Sequence, residues 1–318
     1  MITYITRRFI QAVFILLLVT VIVFLALRFL PGDPIYLLLT SEEVQTKTPE
    51  QIQLLRHENG LDKPLVVQYF DWLYGVLHGN FGTSIRFHFS VGGLMKERIP
   101  LTVHLGILAF ILSQAAGIAA GVVSAVRRGK WLDTLVTVLA NIGITIPTFW
   151  LGIMMIYLFA VYLKWLPVMG YTSPFTDFWL STKQLVMPVI CLALLPMAST
   201  ARQTRSSMLE VMQQDYIRTA WSKGLRERGV IIKHALKNGL IPVFTLAGLQ
   251  LSTIIGGSVL VENVFNIAGM GRLAVYSVLN RDYQVTEGIT LVIAAAIILV
   301  NLLIDISYGW LDPRVRYE

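Results

Sequence analysis

The amino-acid sequence predicts an all-helical bundle that crosses a lipid bilayer about six times. Three observations carry this expectation. Apolar runs of membrane-spanning length recur along the chain, basic residues gather at the ends of those runs, and charged side chains make up only 14% of the 318 residues against 55% hydrophobic ones. A soluble domain of this size would carry roughly a quarter charged residues. With a mean hydropathy of +0.65, the chain has more apolar surface than one water-facing globule can hide.

A span needs about 20 apolar residues at a rise of roughly 1.5 Å each. Residues 9–30 form the first, uncharged until Arg28, and residues 101–126 the second, with His104 its one ionisable group. The third, 135–163, is long and interrupted by Pro147; the fourth, 185–201, is short and holds Pro188 and Pro196. Residues 240–261 and 289–311 complete a single transmembrane domain of six spans over 1–318. The first run follows Arg7 and Arg8, as a secretory leader would. It is longer than the roughly 7–15 apolar residues of a leader and lacks a small-residue cleavage site, so it reads as a retained span.

Basic residues set the orientation. Arg7, Arg8, Arg127, Arg128, Lys130, Arg202, Arg205, Arg218, Lys223, Arg226, Arg228, Lys233, Lys237, Arg314 and Arg316 fall on one side; Lys164, Lys183, Arg272 and Arg281 mark the short loops of the other. Both termini are therefore expected to be cytoplasmic. The formal charge of +7 is a topology signal rather than a nucleic-acid surface. The lone Cys191 excludes an internal disulfide, and the five histidines show no metal-ligand spacing. Gly129-Lys130-Trp131 lacks the earlier glycine and the hydroxyl of a phosphate-binding loop.

Two segments ask for more than lipid. The extracytoplasmic loop 31–99 carries Val66, Tyr69, Phe70, Leu73 and Leu77 at helical spacing. It reads either as a small cap packed on the helices or as a docking or gating surface. The cytoplasmic loop 202–239 holds a short helical pattern, Asp215–Trp221, with Tyr216, Ile217, Ala220 and Trp221 to one side and Gly224 as its stop. A second helical pattern over 228–237 follows, and together they make a compact lever or an interfacial helix resting on headgroups.

At these residues the chain resembles a known family. Arg218-Thr219-Ala220-Trp221-Ser222-Lys223-Gly224 is similar to the EAA loop of ABC importer permeases, and Asp215 to Leu225 with His234-Ala235-Leu236-Lys237-Asn238 resembles the dipeptide/oligopeptide branch, closest to the first of its two permeases. Leu30-Pro31-Gly32-Asp33-Pro34, Gly60-Leu61-Asp62-Lys63-Pro64-Leu65, Ile144-Thr145-Ile146-Pro147-Thr148-Phe149-Trp150, Val261-Glu262-Asn263-Val264-Phe265, Gly269-Met270-Gly271-Arg272 and Leu311-Asp312-Pro313-Arg314-Val315-Arg316 agree. Arg218 stands where the loop has Glu, Thr219 replaces its first Ala, and the proline of its ending comes late, at Pro242; the Glu's own role does not carry over.

The resemblance implies the type I ABC importer permease fold in a prokaryotic cell membrane. It also implies a second homologous permease, two ATP-binding subunits and an extracytoplasmic substrate-binding protein, in contact with lipid and not with nucleic acid. Such a chain is no enzyme and has no cofactor of its own, ATP and magnesium belonging to the ATPases. Asp215, Tyr216, Ile217, Arg218, Thr219, Ala220, Trp221, Lys223, Gly224 and Leu225 would form the coupling helix, with Tyr216, Ile217 and Trp221 filling a cleft on one ATPase. The pathway would be lined from Ser113, Gln114, Asn141, Thr145, Gln250, Ser252, Thr253, Gly256, Gly257 and Ser258, although helix packing favours the same small residues. Asn301, Asp305 and Glu262 are the costly polar groups. The substrate expected is a di- or oligopeptide, with nickel, glutathione or oligosaccharide the alternatives within the branch. An ion-coupled secondary transporter would need inverted repeats and midplane carboxylates, and the sequence displays neither.

Overall fold

The computed structural model describes residues 2–29, 35–36 and 48–311, with side chains for 6–29, 35–36 and 48–304. The Leu30–Pro34 motif, the side chain of Asp305 and the run from Asp312 onward lie outside them. The described chain is helical, with one isolated antiparallel bridge, Thr83 to Ser90. In order come α1 (Ile2–Phe29), α2 (Pro49–Glu58), α3 (Leu65–Leu77), α4 (Val91–Val126), α5 (Trp131–Thr145) and α6 (Thr148–Met155), which widens into a π-helix over Ile156–Tyr162. Then follow α7 (Phe178–Val211), α8 (Asp215–Ser222) and α9, built of Glu227–Gly229, a π-helical Val230–Leu236 and Lys237–Gly239. Last are α10 (Ile241–Val264), α11 (Met270–Leu279) and α12 (Tyr283–Leu311).

Five of these helices are long and apolar enough to cross a membrane, and six crossings result if α5 and α6 count as one broken span. That pair is bent by 104°. The cause is local. Pro147 excludes the helical region for the residue before it, and Ile146 takes φ −70° and ψ 125°, extended backbone. Elsewhere helices outrun their apolar cores. α4 starts at Val91, where the Ser90 hydroxyl accepts from the Gly93 N–H, and α7 runs from an Asp177 cap through Pro188 and Pro196 to Val211.

The chain divides into two compact units. The first comprises residues 1–101 and 268–302. Its core joins Val91, Leu94 and Met95 to Met270, Leu273, Val285 and Ile289. Asp282 caps α12 and also accepts from the Ser84 hydroxyl, tying the segment before α4 to it. α2 opens with a capping box between Thr48 and Gln51. After it, the hydrogen bond from His57 holds the Asp62 carboxyl below its usual range, and Asp71 raises Lys63. On α1, Arg28 pairs with Glu287 and stacks on Phe24 at 3.5 Å.

The second unit comprises residues 102–267 and 303–318. Its most buried span is α7, which packs against α5, α6 and α10. Lipid offers helices no hydrophobic reason to associate, so close packing must come from small residues. α4 supplies them as Gly117 and Gly121, four residues apart and set against Met197, Thr200, Ala201 and Thr204 of α7. A Cβ on Gly121 would lie 2.5 Å from Thr204 Cβ and 2.6 Å from the Ala201 carbonyl. Gly256, by contrast, has open space around it. Gly121→Ala is therefore expected to cost about 1–3 kcal/mol from overpacking, while Gly256→Ala is neutral or slightly stabilising. Thermal unfolding of the two variants in detergent checks this contrast.

Candidate functional site

α8 follows the end of α7 after a three-residue turn, and its sides divide by function. Ile217 is fully buried and Ala220 nearly so. They join Ala125 of α4, Met208 of α7 and Val230 and Ala235 of α9 in one apolar core. This corrects the expectation that Ile217 points outward with the aromatics. At 100° per residue, positions 217 and 220 form the base of the helix, while 216 and 221 flank it. Tyr216 and Trp221 stay 44% and 41% exposed on those flanks, and Leu225 46%. Asp215, Arg218, Thr219 and Lys223 are exposed as well. The Arg218–Asp215 contact, at 3.5 Å between two open side chains, adds little.

Gly224 ends the helix at φ +75°. The Leu225 N–H reaches back to the Ala220 carbonyl and the Gly224 N–H to that of Trp221. This is the paired arrangement of a Schellman cap, which needs a left-handed residue in just this place. The hydroxyl of Tyr216 accepts from the Asn238 amide at 2.8 Å. α8 is thus seated by its apolar base and joined sideways to α9.

Near that end of the unit lies an ion pair. Arg205 of α7 grips Asp133 of α5 at 2.7 and 3.0 Å. Asp133 is 6% exposed. It also accepts from the Ser124 hydroxyl and, at 2.9 Å, from the Gly129 N–H, so one carboxylate binds α4, the turn, α5 and α7.

The polar residues expected along a pathway fall into two groups. Gln114 donates to Gln250 at 2.7 Å, Thr200 donates to the same oxygen at 3.1 Å, and Gln250 donates to the Pro196 carbonyl at 3.0 Å. Ser113 is buried beside Gln114 and bonds the Phe110 carbonyl. These residues knot α4, α7 and α10 together. Ser258 is buried and bonds its own helix at Ile255. Ser252 is half-buried, and a Cβ added to Gly257 would lie 3.3 Å from Leu192. Asn141, Thr145, Thr253 and Gly256 are exposed and stand apart from the knot. Glu262 is fully buried and accepts from the Thr102 hydroxyl at 2.7 Å.

Sequence reasoning missed Thr200, Asp133 and the pairing of Arg28 with Glu287. A charged residue at a span boundary was visible in each ion pair, but not which other boundary it meets. Among the described residues no three His, Cys, Asp or Glu side chains gather as a metal ion needs.

The fold, with its buried base beneath an exposed helix between two spans, is that of an importer's membrane subunit. The chain belongs to the family described as binding-protein-dependent transport system inner membrane component, whose family model matches residues 117–317; the N-terminal model of such components matches residues 1–106. It is 43% identical over 317 residues to a peptide transport system permease protein of Brucella abortus (strain 2308), covering 99% of both chains. It is 37% identical over 341 residues to the dipeptide transport system permease protein DppB of Escherichia coli (strain K12), covering both in full. Among solved structures it resembles the inward-facing MetNI methionine ABC transporter, with a TM-score of 0.57 and 18% identity, over 69% of this chain and 96% of that one. The chain is thus a multi-pass inner membrane protein of a binding-protein-dependent transport system.

The ion pair yields a test. Asp133→Asn and Arg205→Met should each lower stability by about 1–3 kcal/mol, since Arg205 is one-third exposed and partly screened. The double variant should lose clearly less than the sum. Melting temperatures of the three purified proteins form the cycle.

Proposed function

We propose that this chain is the permease subunit of an ATP-driven importer of di- or oligopeptides, forming half of the pathway beside a second homologous permease. Two ATP-binding subunits lie on the cytoplasmic side and a substrate-binding protein delivers from outside. ATP and magnesium are held by the ATP-binding subunits, and this chain contributes no catalytic group. In this reading both termini and α8 are cytoplasmic, consistent with the basic residues around them.

The observation that carries the reading is the division of labour on α8. Ile217 and Ala220 anchor it in the chain's own core, while Tyr216, Trp221 and Leu225 remain as large half-exposed apolar groups rimmed by Arg218 and Lys223. Aromatic anchors with a charged rim fit a cleft on a partner protein. A helix seated this way passes displacement to α4, α7 and α9, because its base is packed against all three. The peptide substrate rests on similarity to relatives named for peptide transport over almost the whole of both chains.

Asn141, Thr145, Thr253 and Gly256 are the proposed pathway groups still free to face a solute, while Ser113, Gln114 and Gln250 hold the helices that carry them. Asp215 and Thr219 are exposed on the outer side of the coupling helix; Ser252, Gly257 and Ser258 act through packing.

Two measurements check the proposal. Trp221→Ala should remove most of the co-purifying ATPase while leaving insertion into the membrane intact. Gly224→Val forces a β-branched residue to φ +75°, a strain of about 1–3 kcal/mol, and should abolish peptide uptake in vesicles while ATP hydrolysis persists. Gly224→Asn, which tolerates that backbone, should retain most uptake. Normal uptake by Gly224→Val removes the coupling role.

A further inference from the structure

α3 is an apolar helix in which no residue is buried. Its three sides differ. On the first, the Tyr69 hydroxyl lies 2.9 Å from Thr20 Oγ1 of α1, and its ring meets Phe24 edge-on with centroids 5.3 Å apart. Trp72 on the same side lines a narrow crevice with Val19, Val23 and Leu291. On the second side, Gln68, Asp71 and Gly75 border a polar cavity of about 300 Å³ that reaches Arg28 and Glu287. On the third, Val66, Phe70, Tyr74 and Leu77 are 68%, 60%, 67% and 76% exposed. Their spacing of four, four and three residues makes one stripe.

The contacts on the first side set the depth of this helix. α1 is bracketed by Arg8 and Arg28, and residues 9–27 between them rise roughly 28 Å, close to the roughly 30 Å of a hydrocarbon core. Thr20 therefore lies roughly 12 Å inside the level of Arg28, and Val19 slightly deeper. Side chains of α3 that touch Thr20, Val19 and Val23 are at acyl-chain depth, and their backbone is within one side-chain length of it. Both flanks of α3 are polar and exposed: Lys63 before it, His78 and Asn80 after it. A helix with polar ends, one wet edge and one apolar stripe has the form of an interfacial membrane helix.

We propose that α3 lies in the membrane leaflet on the Arg28 side, with Val66, Phe70, Tyr74 and Leu77 among the lipid acyl chains. The Gln68–Asp71–Gly75 edge keeps the neighbouring cavity wet. The segment between the first two spans is then partly a membrane-embedded element beside α1 and not a wholly aqueous cap.

Nitroxide labels on single cysteines at Val66, Phe70 and Tyr74 test this, in a chain carrying Cys191→Ala. The labelled chain is reconstituted, in the complex with which it purifies, into phosphatidylethanolamine–phosphatidylglycerol vesicles. Power-saturation resonance with oxygen, which partitions into lipid, and a nickel chelate, which stays in water, reads the surroundings of each label. Collision with oxygen should exceed collision with nickel at all three positions, and a label at Asp71 should show the reverse. If Phe70→Cys does not fold, Val66→Cys and Tyr74→Cys carry the same comparison. Nickel access on the stripe means that it faces water. Protection from both reagents means that another protein covers it. Either result overturns the proposal.

Discussion

The close approach of α4 to α7 is the contact on which the second unit depends. Inside a bilayer an apolar surface gains nothing by leaving lipid for protein, so two helices stay together only where their backbones come near and their polar groups find each other. Gly117 and Gly121 allow the first condition, bringing α4 within direct reach of the Met197 and Ala201 carbonyls. Gln114, Thr200 and Gln250 meet the second one turn away. Asp133 and Arg205 close the same helices further along. α8 rests on the end of this assembly, since its buried Ile217 shares a core with Ala125 of α4 and Met208 of α7.

That arrangement explains why the polar residues of the spans divide as they do. A glutamine buried among helices must be satisfied by other protein groups, because lipid offers none. Gln250 uses its carbonyl and its amide on three different partners, leaving little capacity for a passing solute. Small hydroxyls such as Thr145 bond their own helix at 3.1 Å, so they can be exposed to any surroundings at little cost. Polar identity alone does not mark a pathway. What matters is whether the group's bonds are already made within the bundle.

The sequence was most legible where information is local. Apolar runs, the left-handed glycine after α8 and the break at Pro147 all follow from residues within a turn or two. The long-range pairings left no periodic trace. Arg28 ended a run and Glu287 preceded one, with nothing between to match them, and Asp133 and Arg205 were separated in the same way. Ile217 misled for a different reason. Apolar residues on α8 cover an arc of roughly 140°, and the pattern does not say which of them the chain keeps for itself. The Gly117–Gly121 spacing was readable, but its partner helix was not. The similarity of the loop sequence around residues 215–225 to a known family supplied what periodicity could not.

The pairing of Arg28 with Glu287 spans 259 residues of chain. At a synthesis rate of roughly 5–20 residues per second, α1 therefore waits on the order of 13–52 s in the bilayer before its carboxylate exists. The arginine stands at the very end of the apolar run, where a long side chain can keep its charge at the headgroups in the meantime. Had the same residue been placed two turns deeper, the nascent helix would have had no means of holding it. The order in which the ribosome delivers these two helices thus sets a limit on where the first charge can be written.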